Sequence, residues 1–414
     1  MSLTDFNKYK SLKVTDVSGQ PTISRTACLK ITSGDDTTTG TGEIVLDWSN
    51  ISDKSDIGVY DENNNLLDYH FESFDSTNET AVIWVYRSWV RDGTVQAKIA
   101  YGNGPSDQSV ATSTVFSKET DLEAGYLFNE ISGDLLDVSG NNIDGTVTGA
   151  TQGATGIVDG AYSFDGNDDV VGLTGILGSA PNAFAISFWF YPRDDALGFI
   201  VTLYDDINYL ISMDDSQYVS NPRMLIVRAE QPAGNWSSLV TYQLPALSQW
   251  YHVTVIYDDS VGHELYVDAS SKDTSTNTDS FDTDESGSYL ASKGNEYYYD
   301  GLLDDVRFYS TNPSSDEITA LYDATKSSPS LFDQEAGGGF ATISGQVTLS
   351  GSGVEGVKVF LVNDTTGELK ATITTDTDGN YSFDAFSGDT YHVAVQYDDG
   401  TDKYNAYSKP YLVP

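Results

Sequence analysis

Short runs that alternate apolar and polar residues dominate this chain, and they restrict it to β structure. TACLKI, TAVIWVYRSWV, FAISFWFYP and YHVTVIY carry the period of two that sets one strand face against a core. Between such runs stand SGDDTTTGTG, DENNN and DSTNET, the residue types of turns. The one clear helix signal is Ser314-Ser315-Asp316-Glu317, an S-x-x-E capping box ahead of EITALYDA. A chain of 414 residues has room for about two to four domains. The expected fold class is all-β, as β-sandwich domains in series.

Charge limits the setting in which that fold holds. There are 62 Asp and Glu against 21 Lys and Arg, a formal net charge of −41, and 47 of the acids are Asp. Self-repulsion of this size loosens a compact state at ordinary ionic strength. In molar salt the Debye length falls to about 3 Å and the repulsion is screened. With 39% hydrophobic and 12% aromatic residues the chain can still bury cores, so acidity here is not disorder. The combination reads as a protein that folds in brine, from a haloarchaeon or a virus of one. The alternative is an acidic surface protein of a mesophile. Nucleic acid and anionic membranes are unsuitable partners in either case. No apolar run reaches about 18 residues, so no membrane insertion is expected. The N-terminal MSLTDFNKYKSLKV has no signal-peptide core, which points to release within an assembled particle rather than export. The single Cys28 excludes an internal disulfide and reads as a small buried hydrophobe.

Three segments follow one another. Residues 1–117 contain SDIGVYDENNNLLDYHFESFD, TAVIWVYRSWV and AKIAYGNG in order. This segment resembles an uncharacterised β-sandwich family that often precedes laminin-G-like modules. Residues 118–326 run through LEAGYLFNE, DVSGNNIDGTVTGA, GAYSFDGNDDVVGL, FAISFWFYPRD, QWYHVTVIYD, HELYVDA and DGLLDDVRFYS. That order resembles the laminin-G-like, concanavalin A-like jelly roll. Residues 327–339, SSPSLFDQEAGGG, are expected to be a flexible linker. Residues 340–414 contain ISGQVTLSGSGVEGVKVFL, TTDTDGNYSF and SGDTYHVAV. They resemble the carboxypeptidase-regulatory-like, or transthyretin-like, β-sandwich. Asp378-Gly379 is expected to be a hairpin turn, and YNAYSKPYLVP a last edge strand or a docking peptide.

Candidate chemistry is sparse. None of His70, His252, His263 and His392 sits in a catalytic or metal-ligand motif, and His252 lies inside an apolar strand. No strand carries the paired acids of a two-carboxylate glycosidase, so the chain is expected not to be an enzyme. The loop Asp137-Val138-Ser139-Gly140-Asn141-Asn142 offers the oxygens that Ca²⁺ takes. The jelly-roll resemblance implies that the closing strand pairs with the first. It thereby implies one Ca²⁺ held by Asp137, Asn141 and one of Asp304 or Asp305. Asp376-Thr377-Asp378-Gly379-Asn380 begins like an EF-hand loop, lacks the closing Glu, and reads as a turn. For sugar stacking the candidates are Trp236, Tyr297, Tyr298 and Tyr299. Consecutive tyrosines on a strand cannot all face one core, so some of the three should reach the surface.

The whole resembles structural proteins of haloarchaeal tailed viruses. The resemblance implies a non-enzymatic tail fibre, spike or head decoration. Its partners would be other copies of the chain, other virion proteins, and a host glycan or surface-layer glycoprotein. The alternative is a surface-associated lectin or glycan-processing protein of a haloarchaeal cell.

Overall fold

The computed structural model describes residues 6–412, except 15–21, 91–93, 178–180, 204–207, 215–222, 232–234, 279–286, 365–366, 368, 387–389, 399–402 and 408–410. The architecture is all-β, with mainly antiparallel sheets stacked as sandwiches.

In the first domain, Thr22–Ser33 pairs with Thr80–Val90, which pairs in turn with Tyr69–Asp75. The facing sheet contains Lys8–Val14, Val95–Tyr101 and Ile57–Asp61. Ala27, Cys28, Leu29, Lys30 and Ile31 are all buried, because both faces of their strand are covered. One cover is the helix Ser315–Thr325 of the next domain. Its capping box forms as the sequence indicates. Glu317 N donates to Ser314 Oγ at 3.3 Å, and Ser314 N donates to Glu317 Oε2 at 2.9 Å. A second helix, Thr112–Phe116, is a single turn whose Phe116 ring meets Trp84 at 5.3 Å.

The second domain is a jelly roll of two large sheets. One contains Gly198–Leu203, Tyr209–Asp214, Met224–Gln231 and Asn235–Gln243. The other contains Asp300–Tyr309, Ala183–Pro192, Tyr251–Asp258, Gly262–Val267 and Ser270–Ser275. Phe184, Ile186, Phe188 and Phe190 from the second sheet meet Ile211, Leu225 and Val227 from the first. The closing strand Asp300–Tyr309 pairs with the first strand Leu122–Tyr126.

Two expectations about connections are corrected. The segment read as a flexible linker instead enters the first domain's sheet. Phe332–Gln334 pairs with Lys8–Val14 and with Gly40–Thr41. Phe332 packs against Trp89 at 5.0 Å, and the Gln334 amide accepts from Val45 N at 2.9 Å and donates to Glu43 O at 2.7 Å. The following glycines serve close approach rather than slack: a Cβ on Gly338 would lie 2.9 Å from the Tyr9 ring. The strand Gly338–Gln346 then pairs first with Lys8 and Tyr9, and beyond them with Asn380–Phe386 of the third domain. One strand therefore belongs to two domains.

The Asp378-Gly379 turn is tight but is not a hairpin within one sheet. It joins Leu369–Thr374 to Asn380–Phe386, which lie in different sheets. The Asp376 carboxylate accepts from Asp378 N at 3.0 Å and Asn380 N at 2.8 Å, as a turn requires. The C-terminal tail supplies edge strands, Lys403–Tyr407 and Tyr411–Leu412, both paired with Thr390–Asp398.

Candidate functional site

The residues proposed for calcium each have hydrogen-bond partners of their own. Asp137 lies in the loop after the first strand, and its carboxylate serves that loop. Oδ1 accepts from Gly125 N at 3.0 Å and Ser139 N at 2.9 Å. Oδ2 accepts from Ser139 Oγ at 2.7 Å and Ile143 N at 3.1 Å. Asn141 Nδ2 donates to Glu123 O at 2.9 Å and ties the loop to the first strand. In the closing strand a bulge falls between the Trp189–Asp304 and Ser187–Arg307 pairs, and Asp305 there has a φ of 46°. Asp304 is fully buried, and its Oδ2 accepts from Ile157 N at 2.8 Å and Val158 N at 3.0 Å. Asp305 takes a forked pair of bonds from Arg307, 2.7 Å from Nε and 3.1 Å from Nη2. Burial raises Asp304 from its ordinary 3.8 to about 8, with the neighbouring Asp305 charge adding to the shift. Asp137 and Asn141 thus bond within the loop and to the first strand, whereas Asp304 and Asp305 bond the segment at residues 157–158 and Arg307. Among the described residues, the acids whose ligand atoms gather within 4.8 Å of one another are Asp165, Asp168 and Asp169, in a surface turn.

Buried charge gathers instead where the first two domains meet. Arg25 bonds Asp121 at 2.8 and 2.9 Å and approaches Glu317 at 3.4 Å. Arg307 lies 4.9 Å over the Trp84 ring, with Nη1 3.8 Å from Glu119. Lys30 Nζ donates to Ile157 O and Thr325 O, each at 2.7 Å. The Glu72 carboxyl, bonded by Asn129 and Trp84, is pushed up by burial as Asp304 is. Perturbed carboxyls often mark catalysis. Here they lie inside a domain junction with Asp304 closed to solvent, so a substrate does not reach that carboxyl.

The tyrosine run is a loop rather than a strand, and it sorts its three rings. Tyr299 is core, Tyr298 is half-buried, and Tyr297 is 39% exposed. Tyr297 has a φ of 56°, which turns the chain there, and its carbonyl accepts from Phe199 N at 2.9 Å. Its ring leans on Phe199 at 5.4 Å, beside Leu210 and Leu197. The loop therefore holds one aromatic ring at the rim of the first jelly-roll sheet. Trp236 lies in the strand Asn235–Gln243, opposite Glu230; its side chain falls outside the described residues. His252 is buried as its strand implies, with Nε2 3.0 Å from Ser187 Oγ, and burial pulls it down to about 3.

One concavity escaped the sequence reading. On the outer face of the second sheet, Ile256, Glu264 and Thr274 stand side by side, one from each of three paired strands. The Asn312–Pro313 turn walls one side, and about 530 Å³ opens between them. The available signal was the outward position of Glu264 in the alternating strand GHELYV.

Comparison with known proteins places the domains. Residues 165–319 match the concanavalin A-like lectin/glucanases superfamily. Residues 342–406 match the carboxypeptidase regulatory-like domain, and residues 53–142 match a domain of unknown function, DUF2341. The last match runs past the first domain into the first strand and loop of the jelly roll. No curated protein matches the chain. Among solved structures, domain 4 of AbnA, an extracellular arabinanase from Geobacillus stearothermophilus in complex with arabinotriose, is 23% identical; the match covers 49% of this chain and 98% of that one, at a TM-score of 0.39. The receptor binding domain of botulinum neurotoxin D is 12% identical, over 69% of this chain and 75% of that one, at a TM-score of 0.41. The binding domain of Paraclostridial Mosquitocidal Protein 1 is 14% identical, over 70% and 92%, at a TM-score of 0.41.

Proposed function

We propose that this chain is a non-enzymatic binding protein that attaches its carrier to a glycan-bearing surface in brine. In this reading it is a structural protein of a haloarchaeal tailed virus, worn as a fibre, spike or head decoration. The observation that carries the binding reading is Tyr297. A half-exposed ring, backed by Phe199 and set by its own loop, stands at the rim of a domain matched to the lectin/glucanases superfamily. Such a ring offers an apolar face to a sugar at little entropic cost, because its backbone is already fixed. The series of β-sandwich domains and the net charge of −41 support the setting. Sheet-edge pairing between copies would supply a closed homo-oligomer, and the edge strand Leu369–Thr374 exposes 54% of Leu369.

The binding test measures adhesion of the full chain to isolated host surface-layer glycoprotein at fixed high NaCl. Tyr297→Ala should weaken it about tenfold while leaving the melting temperature in place. Equal adhesion by both proteins removes Tyr297 from the site. Antibody labelling of purified particles tests the viral part. Label on cells but never on particles overturns it in favour of a cellular lectin.

A further inference from the structure

We infer that the jelly roll carries a second saccharide site, on the outer face of the sheet opposite the one Tyr297 borders. It is the cavity between Ile256, Glu264, Tyr266, Thr274 and the Asn312–Pro313 turn. This site is separate from the Tyr297 rim and stands or falls independently of it.

The cavity is built by register. Ile256 pairs with Glu264 and Glu264 with Thr274, which fixes three side chains in one outward row. Tyr266 lies two residues along from Glu264 on the same face. The wall is held as well. Asn312 Nδ2 donates to Asp258 Oδ2 at 3.3 Å, and the Ser314 capping box fixes the chain directly after Pro313. Gly262 closes the turn where no side chain fits: a Cβ there would lie 1.9 Å from Ser275 O. Its neighbour Val261 stands 69% exposed at the mouth and adds to the apolar lining.

The lining selects the ligand. A volume of about 530 Å³ lies in the range of small-molecule sites. Apolar surface comes from Ile256, Val261, Tyr266 and Pro313, and hydrogen-bonding groups from Asp258, Glu264, Asn312 and the hydroxyls of Thr274, Thr276 and Ser315. Among the described residues no Lys or Arg lines it, and two carboxylates do, which disfavours phosphates, nucleotides and acidic sugars. A neutral mono- or disaccharide uses the whole lining. Its hydroxyls donate to the carboxylates and accept from the threonines, and its C–H face covers the apolar wall. An amine would engage only the carboxylates.

The test is saturation-transfer NMR of the full chain at fixed high NaCl. The probes are methyl glucoside, methyl galactoside, methyl mannoside, maltose and cellobiose, with n-butylamine as the cationic control. At least one neutral saccharide should bind wild type, and bind Tyr297→Ala equally well. Glu264→Gln and Thr274→Arg should each weaken that binding about tenfold or more. Thr274 is exposed, and Glu264→Gln keeps the side-chain shape, so near-ultraviolet dichroism should match wild type. No saccharide bound, or binding unchanged by both variants, overturns the site. Binding of n-butylamine alone overturns the ligand class. Loss with Tyr297→Ala but not with Glu264→Gln returns all saccharide binding to the rim.

Discussion

Asp304 is the residue whose chemistry departs furthest from what an aspartate does in water. Its Oδ2 takes two backbone N–H groups, while its Oδ1 is buried without a partner. Burial therefore outweighs the hydrogen bonds, and the carboxyl titrates at about 8 rather than 3.8. The folded protein thus holds a proton that the unfolded chain has released anywhere between those two values. Stability from this residue is complete below pH 3.8 and is lost as the pH climbs towards 8, at no more than about 1.4 kcal/mol per pH unit. Asp304→Asn mimics the neutral form and should remove that loss. Melting curves of the two proteins from acid to mildly alkaline pH should diverge, with the Asn variant ahead at pH 8. Parallel curves would show that the carboxyl is ionised in the fold. His252 works in the other direction. Burial lowers it from 6.5 to about 3, so its contribution is present above 6.5 and fades as the pH falls towards 3. His263, lowered to about 4 by burial, adds to the same acid-side loss.

At the level of elements, the connection between the second and third domains decides how the molecule is tied together. Phe332 is 5% exposed and packs on Trp89, so Phe332→Ala should cost about 3–5 kcal/mol. Denaturant melts should place that loss in the transition of the first domain, which it shares with the second, and not in that of the third. A loss confined to the third domain would refute the strand assignment. The helix cap gives a milder effect: Ser314→Ala should cost about 1 kcal/mol by chemical denaturation. These two elements also mark what the sequence discloses. The capping box and the long alternating strands are local patterns, readable where they stand. Phe332-Asp333-Gln334 is too short to signal a strand, and its partner Leu12 lies far back in the chain. Its neighbouring Pro, Ser and Gly residues suggest slack, whereas the glycines are there because Tyr9 and Asp36 crowd them. The site divides in the same way. That some of Tyr297, Tyr298 and Tyr299 reach solvent was readable, since the run cannot all face inward. Which one does so is set by a left-handed turn at Tyr297. The partners of Asp137, Asn141, Asp304 and Asp305 were not legible, because a chain with 47 Asp gives no local sign of which carboxylates are buried and paired. The bulge at Asp305 then redirected the two that mattered.

Over the whole molecule, two kinds of electrostatics act in opposite places. The surface carries most of a net charge of −41, spread over exposed turns. The junction of the first two domains holds Arg307, fully buried, among Asp305, Glu119 and the Trp84 ring. Residues of both domains also share one apolar cluster there, including Leu29, Trp84, Phe116, Ala185, Tyr309 and Ala324. The two domains should therefore unfold in one transition rather than two. Salt reaches the surface term and not the junction, because screening acts through solvent. Removing Arg307 would leave the buried Asp305 carboxylate without its cation and Glu119 with Arg25 alone, so Arg307→Ala should cost about 3–5 kcal/mol. Calorimetry of wild type and Arg307→Ala across a series of NaCl concentrations separates the terms. Both melting temperatures should rise steeply with salt as surface repulsion is screened over a Debye length that shrinks to about 3 Å at 1 M. The variant should run below wild type by a nearly constant offset. A flat wild-type line would remove the brine reading of the composition. Lines that converge at high salt would mean that solvent ions reach Arg307, which its burial forbids.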